Sequence, residues 1–179
     1  MTTFATIPTI ETERLIMRGF REDDHASLCV IESDEEMTRF TGGTHNEDQA
    51  WRYMATMIAH WTLRGFGPFA LEEKTTNALV GYCGPWATPK FPEPEICYTL
   101  ARTAQGKGYA SEALKAALSF VYFNLGWKTA MSCIDRDNHA SQAVSQKMGA
   151  VKEQTDVPLG DYKVDIWRHL PPQKFKELH

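Results

Sequence analysis

The chain has 179 residues, of which 42% are hydrophobic and 23% are charged, as is typical of one globular domain. The chain contains 19 Lys and Arg residues and 23 Asp and Glu residues, which gives a formal net charge of −4. A mildly acidic chain without a clustered basic face argues against nucleic acid as a partner. No stretch approaches 18 consecutive apolar residues, so we expect no membrane partner either.

The first ten residues and the four cysteines both favour a cytoplasmic protein. Residues 1–10 lack the basic region and the apolar run of a signal peptide. Cys29, Cys83, Cys97 and Cys133 form no C-x-x-C pair and have no nearby His at metal-ligand spacing. We therefore expect reduced thiols and no metal site.

The first third of the chain predicts one strand and two helices. Residues 13–20 alternate apolar and polar side chains, as a half-buried strand does. Residues 21–33 have a loosely helical pattern. Residues 46–64 form a better helix, because apolar side chains recur at spacings of three and four. Asn46 and Gln49, three residues apart, resemble a capping box at its start.

The rest of the chain predicts a sheet interleaved with helices. Three strand-like runs separated by turn residues come first: 68–73, 78–86 and 95–100. The next helix has the clearest apolar pattern of the chain, from Ala110 to Leu125, with Gly126 in the C′ position. Four more elements complete the order, a strand, a short helix and two strands: 129–134, 140–148, 150–155 and 162–170. This order predicts an α+β fold around one sheet.

The loop between residues 105 and 111 is the most informative local feature. Gly106 and Gly108 allow the backbone to curl and a ligand to approach closely. The helix that follows brings unpaired N–H groups to the same point, so the loop predicts an anion site. A Walker loop would need Ser or Thr after Lys107, and a dinucleotide fingerprint would need glycine in place of Ser111. A coenzyme A pyrophosphate fits better, because it needs only a tight run of amides.

The loop resembles the acyl-CoA site of the GCN5-related N-acetyltransferase (GNAT) superfamily, in which Gln105, Gly108 and Ala110 match the motif. Further segments are similar to the Rim-type branch, the ribosomal-protein N-acetyltransferases and their relatives. They are an opening strand, a central strand and a second cofactor motif: residues 11–18, 95–100, and 137–141 with 147–149. The resemblance spans about residues 11–170.

This resemblance implies a fold for the whole chain. A single GNAT-like domain is expected over residues 1–179, with a mixed, mostly antiparallel sheet and helices on both faces. At its centre, the strand at residues 95–100 and the parallel strand at residues 129–134 splay apart. In the family, the pantetheine arm of acetyl-CoA lies in that gap.

The resemblance also implies a function: transfer of an acetyl group from acetyl-CoA to a primary amine by direct attack in a ternary complex. The amine is either a protein N-terminal α-amine or a small-molecule amine, and its identity stays open. The positions matching the acetyl-CoA site are Leu100, Ala101, Gln105, Gly106, Lys107, Gly108, Tyr109, Ala110, Asn138 and Ser141. Several family members are homodimers, so a homodimer is one assembly that the resemblance allows.

The expected catalytic groups depart in part from the family pattern. Glu95 begins the central strand, where Rim-type relatives often place an acidic residue facing the acceptor, and is the candidate general base. Ser145 stands where many members have a Tyr that protonates the departing thiolate; Ser141 and Ser145 are the candidate donors. This departure keeps an alternative open, an acyl-CoA-binding sensor or scaffold module without catalysis.

Overall fold

The computed structural model describes residues 6–179; residues 1–5, half of the segment tested above for a signal peptide, lie outside the described residues. The eight strands are β1 (Ile10–Glu11), β2 (Leu15–Arg18), β3 (Phe69–Glu73), β4 (Leu79–Trp86), β5 (Glu95–Leu100), β6 (Met131–Ile134), β7 (Val151–Leu159) and β8 (Tyr162–Arg168). The α-helices are α1 (His25–Glu32), α2 (Glu35–Thr38), α3 (Glu47–Arg64), α4 (Tyr109–Phe123), α5 (His139–Lys147) and α6 (Pro172–Leu178). Among residues 6–179, no helix combines the length and apolarity needed to cross a membrane.

All eight strands form one sheet in the order β1-β2-β3-β4-β5-β6-β8-β7. Every neighbouring pair is antiparallel except β5 and β6, which are parallel. Within the described residues these two strands pair at Glu95 and Met131 and then diverge. The predicted α+β fold with a splayed parallel pair at its centre is therefore confirmed.

Helices cover both faces of the sheet, as predicted. On one face, α4 packs Leu114, Leu118 and Val121 against core residues of β2 to β5. On the other face, Leu28 of α1 and Met57 of α3 pack against Tyr82, Trp86 and neighbouring side chains of β3 and β4. The sheet therefore lies between two hydrophobic cores. An opening in it occurs where β5 and β6 diverge.

Most element boundaries agree with the sequence pattern, and the capping box at α3 is confirmed. Asn46 accepts the Gln49 backbone N–H at 2.9 Å, and the Gln49 side chain accepts the Asn46 N–H at 2.9 Å. Three short elements were not predicted: β1, α2 and α6. Asp34 caps α2 by accepting backbone N–H groups, and Pro172 opens α6 where its missing N–H costs nothing. The strand predicted at 150–155 continues to Leu159. The sequence pattern does not show its second half, because bulges interrupt the alternation of side chains.

Candidate active site

Side chains bridge the opening between β5 and β6. Glu95 at the start of β5 accepts the backbone N–H of Cys133 at 2.8 Å. One step further along, the Ser132 hydroxyl donates to the carbonyl of Ile96 at 2.7 Å. These two contacts supply hydrogen bonds that the diverging backbones cannot make with each other. They join the two strands at the base of the gap.

Two pockets meet at this gap. The first, here called the helix pocket, has a volume of about 490 Å³ and lies at the N-terminus of α4. The second, here called the strand pocket, has a volume of about 330 Å³ and contains Glu95. Their linings share six residues: Phe40, Thr41, Tyr98, Thr99, Asn138 and Ser141. A ligand in one pocket can therefore reach a ligand in the other.

The helix pocket is built around an uncapped helix start. Gly108 is the N-cap of α4 with φ of +84°, and among the described residues no side chain caps this terminus. Gly106 is also left-handed, with φ of +71°, so the chain curls as the two glycines predicted. The first N–H groups of α4 and the positive end of its dipole are thus available to an anion.

A carboxylate inside α4 links the glycine loop to the turn between β1 and β2. Glu112 accepts the Thr12 hydroxyl at 2.6 Å, the Arg14 backbone N–H at 2.7 Å and the Arg14 Nε at 2.8 Å. Arg14 also donates from Nη1 to the carbonyl of Lys107 at 2.7 Å. Glu112 thus joins α4 to the β1–β2 turn, and through Arg14 to the loop. Spacing along the chain could not reveal this contact, because Arg14 and Glu112 are 98 residues apart.

The opposite wall of the helix pocket comes from α2 and the residues after it. Met37 and Arg39 line this wall. Arg102, just after β5, fixes α2 in place by donating to Asp34 from Nε at 2.8 Å and by a second contact to Glu36. In the sequence, Asp34 followed by two glutamates is a pattern typical of a helix start and could have indicated α2.

Glu95 is the buried acid of the strand pocket, with 6% of the residue exposed. Burial raises the pKa of Glu95 to about 7, against the opposing effects of hydrogen bonds from Cys133 and the charge of Lys90. A carboxyl group with such a pKa exchanges a proton near neutrality, which is what a general base requires. The pocket also contains the thiols of Cys97 and Cys133, whose pKa values are raised by burial.

Ser141 lies where the two pockets meet. Its Oγ accepts the hydroxyl proton of Tyr98 at 3.1 Å, which leaves the Ser141 proton free for another acceptor. Burial raises the pKa of Tyr98 to about 12, so this hydroxyl stays protonated near neutral pH. Asn138 caps α5 by accepting the Ser141 N–H at 3.1 Å. Tyr98 was not singled out from the sequence, because an aromatic residue in a strand is ordinary core.

The structure brings most of the sequence-predicted residues to these pockets. Around the helix pocket lie Leu100, Gln105, Gly106, Gly108, Tyr109, Ala110, Asn138 and Ser141. Ala101 and Lys107 are outside both linings: the Ala101 N–H donates to Val80, and Lys107 points its ammonium toward the Tyr109 ring. Ser145 also lies outside them and is fully buried; its Oγ has no partner among the described residues.

A buried histidine, His169, lies behind the gap, and its partner Ser132, 37 residues away, could not be found from spacing along the chain. Ser132 donates its proton to Ile96, so its Oγ accepts from His169 Nε2 at 3.0 Å. Burial, and then the charge of Arg168, lower the pKa of His169 to about 4. The imidazole is therefore neutral at physiological pH, and it orients Ser132 at the fork of the strands.

Comparison with known proteins identifies the family. Residues 14–151 match the family described as Acetyltransferase (GNAT) domain. An uncharacterised N-acetyltransferase of Bacillus subtilis (strain 168), YoaA, is 30% identical over 149 residues, which cover 82% of this chain and 84% of that protein.

Solved structures share the fold. An acetyltransferase from Agrobacterium tumefaciens str. C58 has a TM-score of 0.83 and 25% identity, covering 95% of this chain and 98% of the other. RimJ of Mycobacterium smegmatis, solved in complex with CoA-disulfide, has a TM-score of 0.73 and 17% identity, covering 94% and 88%. With the matched family and the glycine loop at α4, the resemblance is confirmed: the chain belongs to the GNAT family and is an acetyl-CoA-dependent acetyltransferase.

Proposed function

We propose that this enzyme transfers the acetyl group of acetyl-CoA directly to a primary amine, with both substrates bound at once. The observation that carries this proposal is the junction of two pockets at the β5–β6 gap. Glu95 lies in one pocket, and Ser141 lines both. An amine in the strand pocket and a thioester in the helix pocket would meet between a base and a hydroxyl donor.

In this proposal the helix pocket binds acetyl-CoA. The uncapped N-terminus of α4, with Gly106 and Gly108, receives the pyrophosphate through backbone N–H groups. The pantetheine arm lies in the gap beyond Leu100 and uses backbone groups that the diverging strands leave open. Arg39 lines the pocket from the opposite side and supplies a positive charge. RimJ, which shares the fold, was solved with a CoA derivative.

Glu95 acts as the general base in this proposal. It accepts a proton from the ammonium form of the acceptor, directly or through a water molecule, because only the neutral amine has a free electron pair. The amine nitrogen then bonds to the acetyl carbon, and the carbon–sulfur bond breaks. Glu95 passes the first proton on to solvent. Ser141 donates its proton to the departing thiolate and takes up the second proton that the acylated nitrogen loses, while Tyr98, which donates a hydrogen bond to Ser141 Oγ, keeps its own proton. We favour Ser141 over Ser145, because Ser145 is outside both pocket linings.

The test is thiol release from acetyl-CoA in the presence of α-amine, ε-amine and small-molecule acceptors, with products identified by mass spectrometry. We expect release that depends on the amine and an acetylated product of matching mass. Calorimetry with acetyl-CoA alone accompanies the assay. Binding of acetyl-CoA without transfer to any amine would instead support the sensor or scaffold alternative.

A further inference from the structure

We propose that the strand pocket selects amines that carry a single positive charge on an apolar or aromatic body, and that it disfavours polycations. This inference rests on the proposed transfer to an amine. A peptide N-terminus with a neutral side chain and a small aromatic amine share the selected chemistry. Polyamines and aminoglycosides do not.

Aromatic side chains dominate the wall of the strand pocket. Seven of them contribute rings to it: Phe40, Tyr53, Tyr82, Trp86, Phe91, Tyr98 and Tyr162. The Tyr53 ring lies 5.9 Å from that of Tyr82 and 6.1 Å from that of Trp86, with both pairs edge to face. Aromatic faces pack against apolar groups. Such a wall favours an apolar acceptor body over a chain of hydrated ammonium groups.

Free carboxylates are scarce in this pocket. Among the described lining residues, Glu95 and Asp135 are the acidic ones. Asp135 already accepts the backbone N–H of Asp137 at 2.9 Å. Behind the wall, the carboxylate of Glu32 is buried and accepts the Tyr82 hydroxyl at 3.1 Å. Glu95 and Asp135 each accept one backbone N–H, and the reacting amine needs Glu95, so a polycation would have Asp135 alone for its remaining ammonium groups.

Lys90 adds a positive charge to the same pocket. Its Nζ donates to the Tyr162 hydroxyl at 3.0 Å and lies 5.5 Å from the centre of the Phe91 ring. The β4–β5 loop and the β7–β8 hairpin meet at this contact, on the lining of the pocket. Like charges repel, so Lys90 penalises an acceptor that brings a second ammonium group into this pocket. The structure thus assigns Lys90 as a specificity-determining residue.

The first experiment compares four acceptors at saturating acetyl-CoA: an alanine-initiated tetrapeptide without charged side chains, 2-phenylethylamine, spermidine and kanamycin. The first two separate a peptide source from a small-molecule source of the same chemistry. We expect kcat/KM for the better of them to exceed that for both polycations by about tenfold or more. A polycation as the best acceptor would overturn the inference.

The second experiment inverts the charge of Lys90. Lys90→Glu should raise the ratio of kcat/KM for spermidine to that for 2-phenylethylamine by about fivefold, since a repulsive contact becomes an attractive one. Lys174→Glu, an exposed site on α6, makes the same change of net charge and should leave the ratio as it was. An unchanged ratio in Lys90→Glu would contradict the role of Lys90.

Calorimetry separates this inference from the proposed function. If acetyl-CoA binds but no amine is acetylated, the proposed function fails. Titration of the four amines into the CoA-bound protein then tests the selectivity by affinity alone. Tighter binding of the singly charged amines would still support the inference, and tighter binding of spermidine or kanamycin would reject it.

Discussion

The carboxylate of Glu95 and the backbone N–H of Cys133 are 2.8 Å apart, across the point where β5 and β6 separate. A side chain here replaces the strand carbonyl that would accept this N–H in a continuous parallel ladder. The contact stabilises the charged form of Glu95, whereas burial opposes it more strongly. The same divergence that makes room for a ligand therefore also sets the acid–base behaviour of Glu95.

Replacing Glu95 by glutamine should lower kcat/KM on the true acceptor by about tenfold or more at pH 7.5, since general bases contribute about 10² to 10⁴ in rate. With the pKa of Glu95 raised to about 7, wild-type kcat/KM should rise with pH through that value as the carboxylate forms. The variant should recover part of the loss at higher pH, where the amine deprotonates unaided.

The measurement is a pH–rate profile of both proteins at saturating acetyl-CoA. Glu177→Gln, at an exposed position on α6, is the control for the loss of one charge. A Glu95→Gln profile within about threefold of wild type at every pH would remove Glu95 from the mechanism.

The stability of the protein should depend on pH through the same side chain. The pKa of Glu95 in the folded protein, about 7, lies above its ordinary value of 4.5. Between these values the folded state binds more protons than the unfolded state, so the free energy of unfolding falls as pH rises. At 1.36 kcal/mol per pKa unit, the full effect is about 3 kcal/mol.

Urea unfolding at several pH values tests this linkage. Glu95→Gln, which cannot ionise, should gain stability relative to wild type as pH increases from 4.5 to 7. A difference between the two proteins that stays constant over this range would contradict the raised pKa.

Gly108→Val should weaken acetyl-CoA binding by at least about tenfold, or 1.4 kcal/mol. The residue at this position has φ of +84°, and an added Cβ would come within 3.3 Å of an Arg14 guanidinium nitrogen. Gly126→Val is the matched control, because φ there is +72° and a Cβ would meet nothing within 4 Å. Equal affinity of the two folded variants by calorimetry would show that the loop does not bind the cosubstrate.

Glu112→Gln should raise KM for acetyl-CoA several-fold with a smaller effect on kcat. The glutamine amide cannot accept all the donors that Thr12 and Arg14 present, so the glycine loop loses its link to the β1–β2 turn. Hydrogen bonds to charged groups contribute about 1.5 to 3 kcal/mol each to stability. The variant should therefore also unfold at a lower temperature than wild type.

The control for Glu112→Gln is Asp48→Asn, which removes an exposed ion pair to Arg52 on α3 and should change neither parameter. An effect of Glu112→Gln on kcat alone would mean that the residue does not act through cosubstrate binding.

Activity should persist after dialysis against EDTA. The proposed site binds pyrophosphate through backbone N–H groups and uses Glu95 and Ser141 for proton transfer, so it needs no cation. The assay is thiol release before and after chelation. Loss of activity that returns on addition of Mg²⁺ or Zn²⁺ would contradict this chemistry.

Local patterns in the sequence were enough to predict the order of elements and the glycine loop. Helix α4 and the capping box of α3 depend on residues three or four positions apart, and Gly106 and Gly108 lie next to the helix they introduce. Interactions at such short separation depend on neighbouring residues, so they can be identified from a single sequence. The family motif in the loop extended this local reading to acetyl-CoA.

Tertiary structure alone decided how the site is assembled. Tyr98 reaches Ser141 from a separation of 43 residues, and Glu112 reaches Thr12 from one of 100. Folding also separated the two candidate donors: Ser141 lies at the junction of the pockets, and Ser145, one helical turn later, is buried away from it. No periodicity encodes such contacts, because they depend on how the sheet and helices pack. The pKa of Glu95 has the same origin, since burial rather than residue type raises it.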